Sequence, residues 1–202
     1  MQINHNITPR TEKPKFIVIH TTGNKKAGAN AAAHFNYWNS GKVGQSADFV
    51  VDSKEALQIN DFNKYYTWHC GDGHGKFGIT NANSIGIEIC VNSDGDFVKA
   101  FENAVRLVRD LIKKTGIKSV VRHYDASRKL CPAEMAGNNW ELWHEFTRRV
   151  FEVAELTSVN DIVWELHNRG IITDKKLWLE KLEEDRNAYW LARKCANYIR
   201  NR

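Results

Sequence analysis

Between His123 and Pro132 the chain reads His-Tyr-Asp-Ala-Ser-Arg-Lys-Leu-Cys-Pro, and this stretch constrains the fold more than any other. An imidazole and a thiolate on one short loop are good zinc ligands, but two ligands do not close a zinc site. A third has to be carried in by another part of the chain. The run Phe16-Ile-Val-Ile-His20 offers it, because a buried strand ending in histidine delivers that ring to the edge of a sheet. His20, His123 and Cys131 would leave a tetrahedral zinc with one open position, the arrangement of catalytic rather than structural sites. Any fold for this chain must therefore bring residue 20 and residues 123–131 together.

The intervening sequence supplies a scaffold for that meeting. Ser84-Ile-Gly-Ile-Glu-Ile-Cys90 places Ile85, Ile87 and Ile89 on one face of a strand and Gly86, Glu88 and Cys90 on the other. A carboxylate in so apolar a strand is costly to bury unless it is paired or functional, so Glu88 is singled out. Residues 47–52 and 56–60 read as two strands of a hairpin, and Val120–Arg122 as a strand that delivers His123. Phe101, Ala104, Val105, Val108, Leu111 and Ile112 form an amphipathic helical stripe stopped by Gly116. A second helix spans Ala27 to Asn39, in which His34 is expected to be a packed or surface residue rather than a ligand. A third starts at Asn139 and carries Trp140, Trp143, Phe146, Val150, Phe151 and Val153 inward, with His144 as a structural residue. The glycine-rich segment Gly71–Gly75 reads as a flexible rim loop. Strands that alternate with helices but include a hairpin predict an α/β fold with a mixed central sheet flanked by helices.

From Ser158 the texture changes. Ser158 is a helix cap, followed by Val159, Ile162, Val163 and Leu166 at helical spacing and by Gly170 as a stop. Two further helices follow, over residues 174–184 and 186–200, with Leu177, Trp178, Leu182, Tyr189, Ala192, Ala196 and Ile199 facing inward. The expected layout is a catalytic domain over residues 1–156 and a small C-terminal helical bundle over 157–202.

Five blocks stand in a fixed order: Ile17-Val-Ile-His20-Thr-Thr, Trp68-His69-Cys-Gly71, Asn83-Ser-Ile-Gly-Ile-Glu88-Ile, His123-Tyr-Asp125 and Lys129-Leu-Cys131-Pro132. Together they resemble the zinc-dependent N-acetylmuramoyl-L-alanine amidases of the type-2 amidase and peptidoglycan-recognition-protein superfamily. The resemblance implies an enzyme that cuts the amide bond between N-acetylmuramic acid and L-alanine in peptidoglycan, causing bacterial lysis, with Zn2+ as cofactor. It casts Glu88 as the general base, Lys129 as the cation facing the developing oxyanion, and His69 and Trp68 as groove residues that contact substrate. Asp125 is expected to orient a ligand imidazole or to brace the loop. Where some relatives carry a tyrosine or histidine in the first hairpin strand, this chain has Ala47-Asp48, so that role is not carried over. The alternative is a non-catalytic peptidoglycan-binding protein of the same superfamily. Such proteins typically lack the cysteine ligand, and Cys131 argues for the enzyme.

A net charge of +5 favours an anionic partner, and teichoic-acid-like wall polymers fit it. No interleaving of basic and aromatic residues points to nucleic acid. No apolar run approaches the roughly 20 residues of a membrane span. Met-Gln-Ile-Asn-His-Asn lacks the basic and apolar regions of a secretory signal. The expectation is synthesis in the cytoplasm and action on the wall after release, as for a phage or prophage endolysin or an autolysin. The C-terminal helices, with Trp164, Trp178, Tyr189 and Trp190 and a finish of Arg186, Arg193, Lys194, Arg200 and Arg202, are expected to bind the wall or to form a homodimer.

Overall fold

The computed structural model describes residues 1–152 and 156–200, and these fall into two compact units, Met1–Val150 and Phe151–Arg202. Val153 and Arg202, to which the sequence assigned roles, lie outside the described residues. In chain order the first unit contains β1 (Ile7–Pro9), β2 (Phe16–Thr21), α1 (Ala31–Asn39), β3 (Phe49–Val51), β4 (Ala56–Gln58), β5 (Tyr65–Thr67), β6 (Ser84–Ile89), α2 (Phe97–Thr115), β7 (Ser119–Arg122), α3 (His123–Ser127) and α4 (Gly137–Phe151). The second contains α5 (Val159–Asn168), α6 (Lys175–Glu184) and α7 (Arg186–Arg200). Among the described residues no helix is long and apolar enough to cross a membrane.

The main sheet has the order β4-β3-β6-β2-β7. Strands β3, β6, β2 and β7 run parallel, and β4 pairs antiparallel with β3, which makes the expected hairpin. A separate two-stranded sheet pairs β1 with β5. Alternation along each strand sorts the residues by face. Ile17, Ile19, Ile85, Ile87 and Ile89 are fully buried on the face covered by α2 and α4, together with Phe101, Val108, Trp143 and Phe146. Each such side chain withdrawn from water contributes about 1.5–3 kcal/mol, so this face holds most of the unit's hydrophobic stabilisation. The opposite face carries Val18, His20, Gly86 and Glu88, and it is there that polar chemistry can be built.

Register decides what meets on that face. His20 of β2 pairs with Glu88 of β6, and Val18 with Gly86. Because β2, β6 and β7 are parallel, their carboxyl ends share one edge, which is where open parallel sheets place their ligand sites. His20, Glu88 and His123, the residue after β7, all emerge there.

Helix α2 is longer than its stripe suggested: Asp96 caps its first turn by accepting from the Lys99 amide, and Gly116 ends it at φ 75°. Helix α4 departs from expectation at its start. Asn138, Asn139 and Trp140 all have left-handed backbone, so the right-handed helix begins after them. A tryptophan at φ 68° is unusual, and its ring is held by the Arg122 guanidinium 4.3 Å from its centroid and by Tyr124 at 5.3 Å. His144, expected to be structural, is exposed on α4, because the inward positions of that helix are taken by Trp143 and Phe146.

The second unit closes on its own small core of Ile162, Val163, Leu166, Ile172, Leu182, Ala192 and Ala196. Ser158 caps α5 and Asp174 caps α6, each accepting from a backbone amide three residues on. Asn197 of α7 accepts from the Leu156 amide at 2.6 Å and donates to the Leu156 carbonyl at 3.2 Å. Leu177, expected inward, is 56% exposed: α6 turns Leu182 to the core, with Trp178 and Leu179 packed against it.

Candidate active site

His20, His123 and Cys131 meet at the carboxyl edge of the sheet, all buried, with one potential ligand atom from each lying within 4.8 Å of the others. The His20 and His123 ring centroids are 4.5 Å apart, and Cys131 Sγ is 3.8 Å from His20 Nδ1. The sequence placed His123 on a loop with Cys131; it is instead the first residue of α3. The Tyr124 amide donates to the Cys131 carbonyl at 2.9 Å and so ties the segments that carry His123 and Cys131 together. Asp125 braces the connection: it accepts from the Arg122 amide at 2.9 Å and from the Arg122 guanidinium at 2.6 and 3.0 Å.

The donor set suits a cation. Burial, the neighbouring His123 and His69, and Lys129 hold His20 well below the usual histidine range, and burial lowers His123 against the pull of Asp72, which favours the neutral rings that ligate a metal. Burial and the nearby Glu88 push the Cys131 thiol up to about 12. A bound divalent ion reverses that balance, since a coordinating thiol is deprotonated outright. Two imidazoles and a thiolate within this span therefore fit zinc.

Glu88 stands beside the group, with Oε1 4.0 Å from His20 Nδ1. Its other oxygen is buried and has no hydrogen-bond partner among the described residues. Burial pushes the carboxyl up to about 8, Lys129 pulls it down, and Glu134 adds to the rise. His20, His123, Cys131, Glu88 and Lys129 share the wall of one cleft of about 280 Å³. Trp68 lies on its rim, 42% exposed, with its indole N–H donated to Thr8 Oγ1 at 3.1 Å.

His69 lines the cleft too, yet both of its ring nitrogens are engaged within the protein. Nδ1 is 3.0 Å from His20 Nε2, and Nε2 is 3.1 Å from Ser84 Oγ. The ring lies directly on Gly86, where an added Cβ would fall 2.5 Å from His69 Cγ. His34 reaches the cleft from α1, but its Nδ1 is bonded to the Asn30 carbonyl at 2.9 Å.

The rim segment Gly71–Gly75 is surface-exposed, and within it Gly71–Gly73 forms a 3-10 turn, closed by the His74 amide on the Gly71 carbonyl at 3.1 Å. The turn delivers Asp72, whose Oδ1 is 2.7 Å from His123 Nε2. Sequence reasoning passed over Asp72 because an aspartate among glycines carries no periodicity, and its partner lies far along the chain.

The family described as N-acetylmuramoyl-L-alanine amidase matches residues 10–134, a span that holds His20, Glu88, His123, Lys129 and Cys131. The chain belongs to this family. The N-acetylmuramoyl-L-alanine amidase XlyA of Bacillus subtilis (strain 168) is 41% identical over 130 residues, covering 63% of this chain and 42% of XlyA. CwlH of the same organism, likewise an N-acetylmuramoyl-L-alanine amidase, is 38% identical over 135 residues, covering 66% of this chain and 51% of CwlH. The chain thus spans about half the length of the curated relatives it matches. Among solved structures, the catalytic domain of XlyA superposes with a TM-score of 0.64 at 38% identity, covering 73% of this chain and 94% of that one. The structure of PlyL gives 0.61 at 32% identity, covering 74% and 97%. The family's fold therefore accounts for the first unit, and the matched residues stop short of the C-terminal helices.

Proposed function

We propose that this family member is a zinc-dependent peptidoglycan hydrolase that cleaves the amide bond between N-acetylmuramic acid and the L-alanine of the stem peptide. The observation that carries the reading is the juxtaposition, in one cleft, of the buried His20, His123 and Cys131 with the carboxyl of Glu88 and the ammonium of Lys129. Bound by those three side chains, zinc would supply Lewis acidity to the scissile carbonyl and to water. Glu88, whose unpartnered oxygen faces no competing donor, takes the proton of the attacking water and returns it to the departing alanine nitrogen. The C–O bond forms as the proton leaves, and the C–N bond breaks as it is returned. Lys129 on the cleft wall meets the negative charge on the carbonyl oxygen. Trp68 offers an indole face at the rim for sugar or peptide, and His69 backs the site from behind His20.

The second unit is assigned to the wall. Trp164, Trp190 and Tyr198 are each more than half exposed, and the Lys194 ammonium stands 5.6 Å from the Trp190 ring centroid. Exposed aromatics stack on sugars, cations meet anionic wall polymers, and a second contact raises the local concentration of a hydrolase on an insoluble substrate. A homodimer through these helices is the competing role. Digestion of purified walls tests the reading: new free amino groups without new reducing sugar ends support it, and reducing ends without amino groups refute it.

A further inference from the structure

Two hydrogen-bond chains converge on the ligand imidazoles, and both start from one short segment. On one side the Ser84 hydroxyl donates to the Thr80 carbonyl, so it must accept from His69 Nε2–H. That leaves His69 Nδ1 bare, and a bare Nδ1 can only accept, so His20 Nε2 carries a hydrogen and His20 Nδ1 presents its lone pair beside Cys131 Sγ. On the other side an ionised Asp72 can only accept, so His123 Nε2 donates to it and His123 Nδ1 is bare in turn. The segment itself is pinned. The Asn81 side chain accepts from the His69 and Cys70 amides at 3.0 and 2.8 Å. Gly86 gives the His69 ring its seat, and Gly73 lies so close to α3 that a Cβ there would fall 2.0 Å from the Ala126 carbonyl oxygen.

We propose that residues 69–72 form a positioning clamp, in which His69 and Asp72 hold His20 and His123 in the tautomer and ring orientation that point both Nδ1 atoms at the metal position. Neither residue is catalytic; each acts through the ring it holds, as partners of metal-bound histidines generally do. The inference rests on the zinc reading above. It explains why one segment carries both a half-buried histidine whose two ring nitrogens are engaged and an aspartate bonded to the His123 ring.

The test uses the full chain with His69→Phe, which keeps a ring over Gly86 but removes both nitrogens, together with Asp72→Ala and Asp72→Asn. Zinc affinity is measured by competition with a chromophoric chelator, the unfolding midpoint is measured on metal-free protein, and imidazole tautomers are read by 15N NMR. The clamp predicts Nε2–H tautomers for both His20 and His123 in the parent protein. Each of His69→Phe and Asp72→Ala should weaken zinc binding about 10–100-fold and blur the tautomer of its own partner ring alone. Asp72→Asn, which keeps an acceptor oxygen, should recover most of the affinity. The proposal is overturned if the variants keep parental zinc affinity and tautomers, or if affinity falls only in step with the metal-free unfolding midpoint. A parent protein that binds no zinc would sink the metal reading instead, while the NMR still judges the tautomers.

Discussion

Replacing Gly86 by alanine probes the buried face of the sheet more sharply than any ligand substitution, because it touches neither a ligand nor the cleft. Residue 86 sits mid-strand in β6, and alanine is intrinsically favoured over glycine there by about 0.5–1 kcal/mol. The gain is outweighed by a collision: the new Cβ would lie 2.5, 2.7 and 2.8 Å from His69 Cγ, Cδ2 and Nδ1. Overpacking of this kind costs about 1–3 kcal/mol, so the metal-free protein should lose up to about 2 kcal/mol net. The ring can relieve the contact only by moving off Gly86, which breaks its 3.0 Å bond to His20. Zinc affinity should then fall about 10–100-fold, equivalent to about 1.4–2.7 kcal/mol. Denaturant unfolding and chelator competition measure the two losses separately. The decisive comparison is a double-mutant cycle with His69→Ala: without the ring, Gly86→Ala should be neutral or slightly stabilising. An equal penalty in both backgrounds would refute the reasoning, since the strain would then lie elsewhere than between these two residues.

Lys129→Ala should lower turnover about 10²–10³-fold and also move the pH profile. Glu88 must be ionised to act as a base, and Lys129 lowers its pKa, so removing the lysine shifts the rising limb to higher pH; an unmoved limb separates the two groups. Asp48 is fully buried and accepts from the Gly86 amide at 2.7 Å, Asn60 Nδ2 at 2.7 Å and Thr67 Oγ1 at 3.0 Å. Asp48→Ala strands all three donors and should cost about 3 kcal/mol or more in urea unfolding, and an unchanged midpoint would show that the network does not hold this face together. A chain ending at Thr157 should keep its zinc and hydrolyse a soluble muramyl peptide at the parental rate but sediment less with whole walls. Undiminished sedimentation, with loss of a dimer in solution, would assign the second unit to self-association.

The meeting of His20, His123 and Cys131 was legible because its pieces sit where local pattern speaks: His20 closes an apolar run, and His123 and Cys131 flank a short connection after another strand. Glu88 stood out because a carboxylate in an isoleucine-rich strand demands a reason, and the β2–β6 register supplies it by setting Glu88 against His20. Asp72 and the engaged state of His69 were not legible, since both depend on contacts across 50 or so residues that no periodicity encodes. The left-handed entry to α4 was hidden because Asn139 and Trp140 read equally well as a first helical turn, and the Arg122 guanidinium that holds the Trp140 ring comes from another strand. Leu177 was misplaced because a helical stripe says which side chains share a face, while the neighbours decide which edge of that face is covered.

The central claim is that three buried side chains hold one zinc and that hydrolysis depends on it. The most direct measurement strips the metal from purified protein, adds zinc back in known equivalents, and follows amino groups released from purified walls. The account predicts no release without metal, a linear rise that stops at one zinc per chain, and no recovery for Cys131→Ser at that ratio. Full release by the metal-free protein, or by Cys131→Ser at one equivalent, would contradict it.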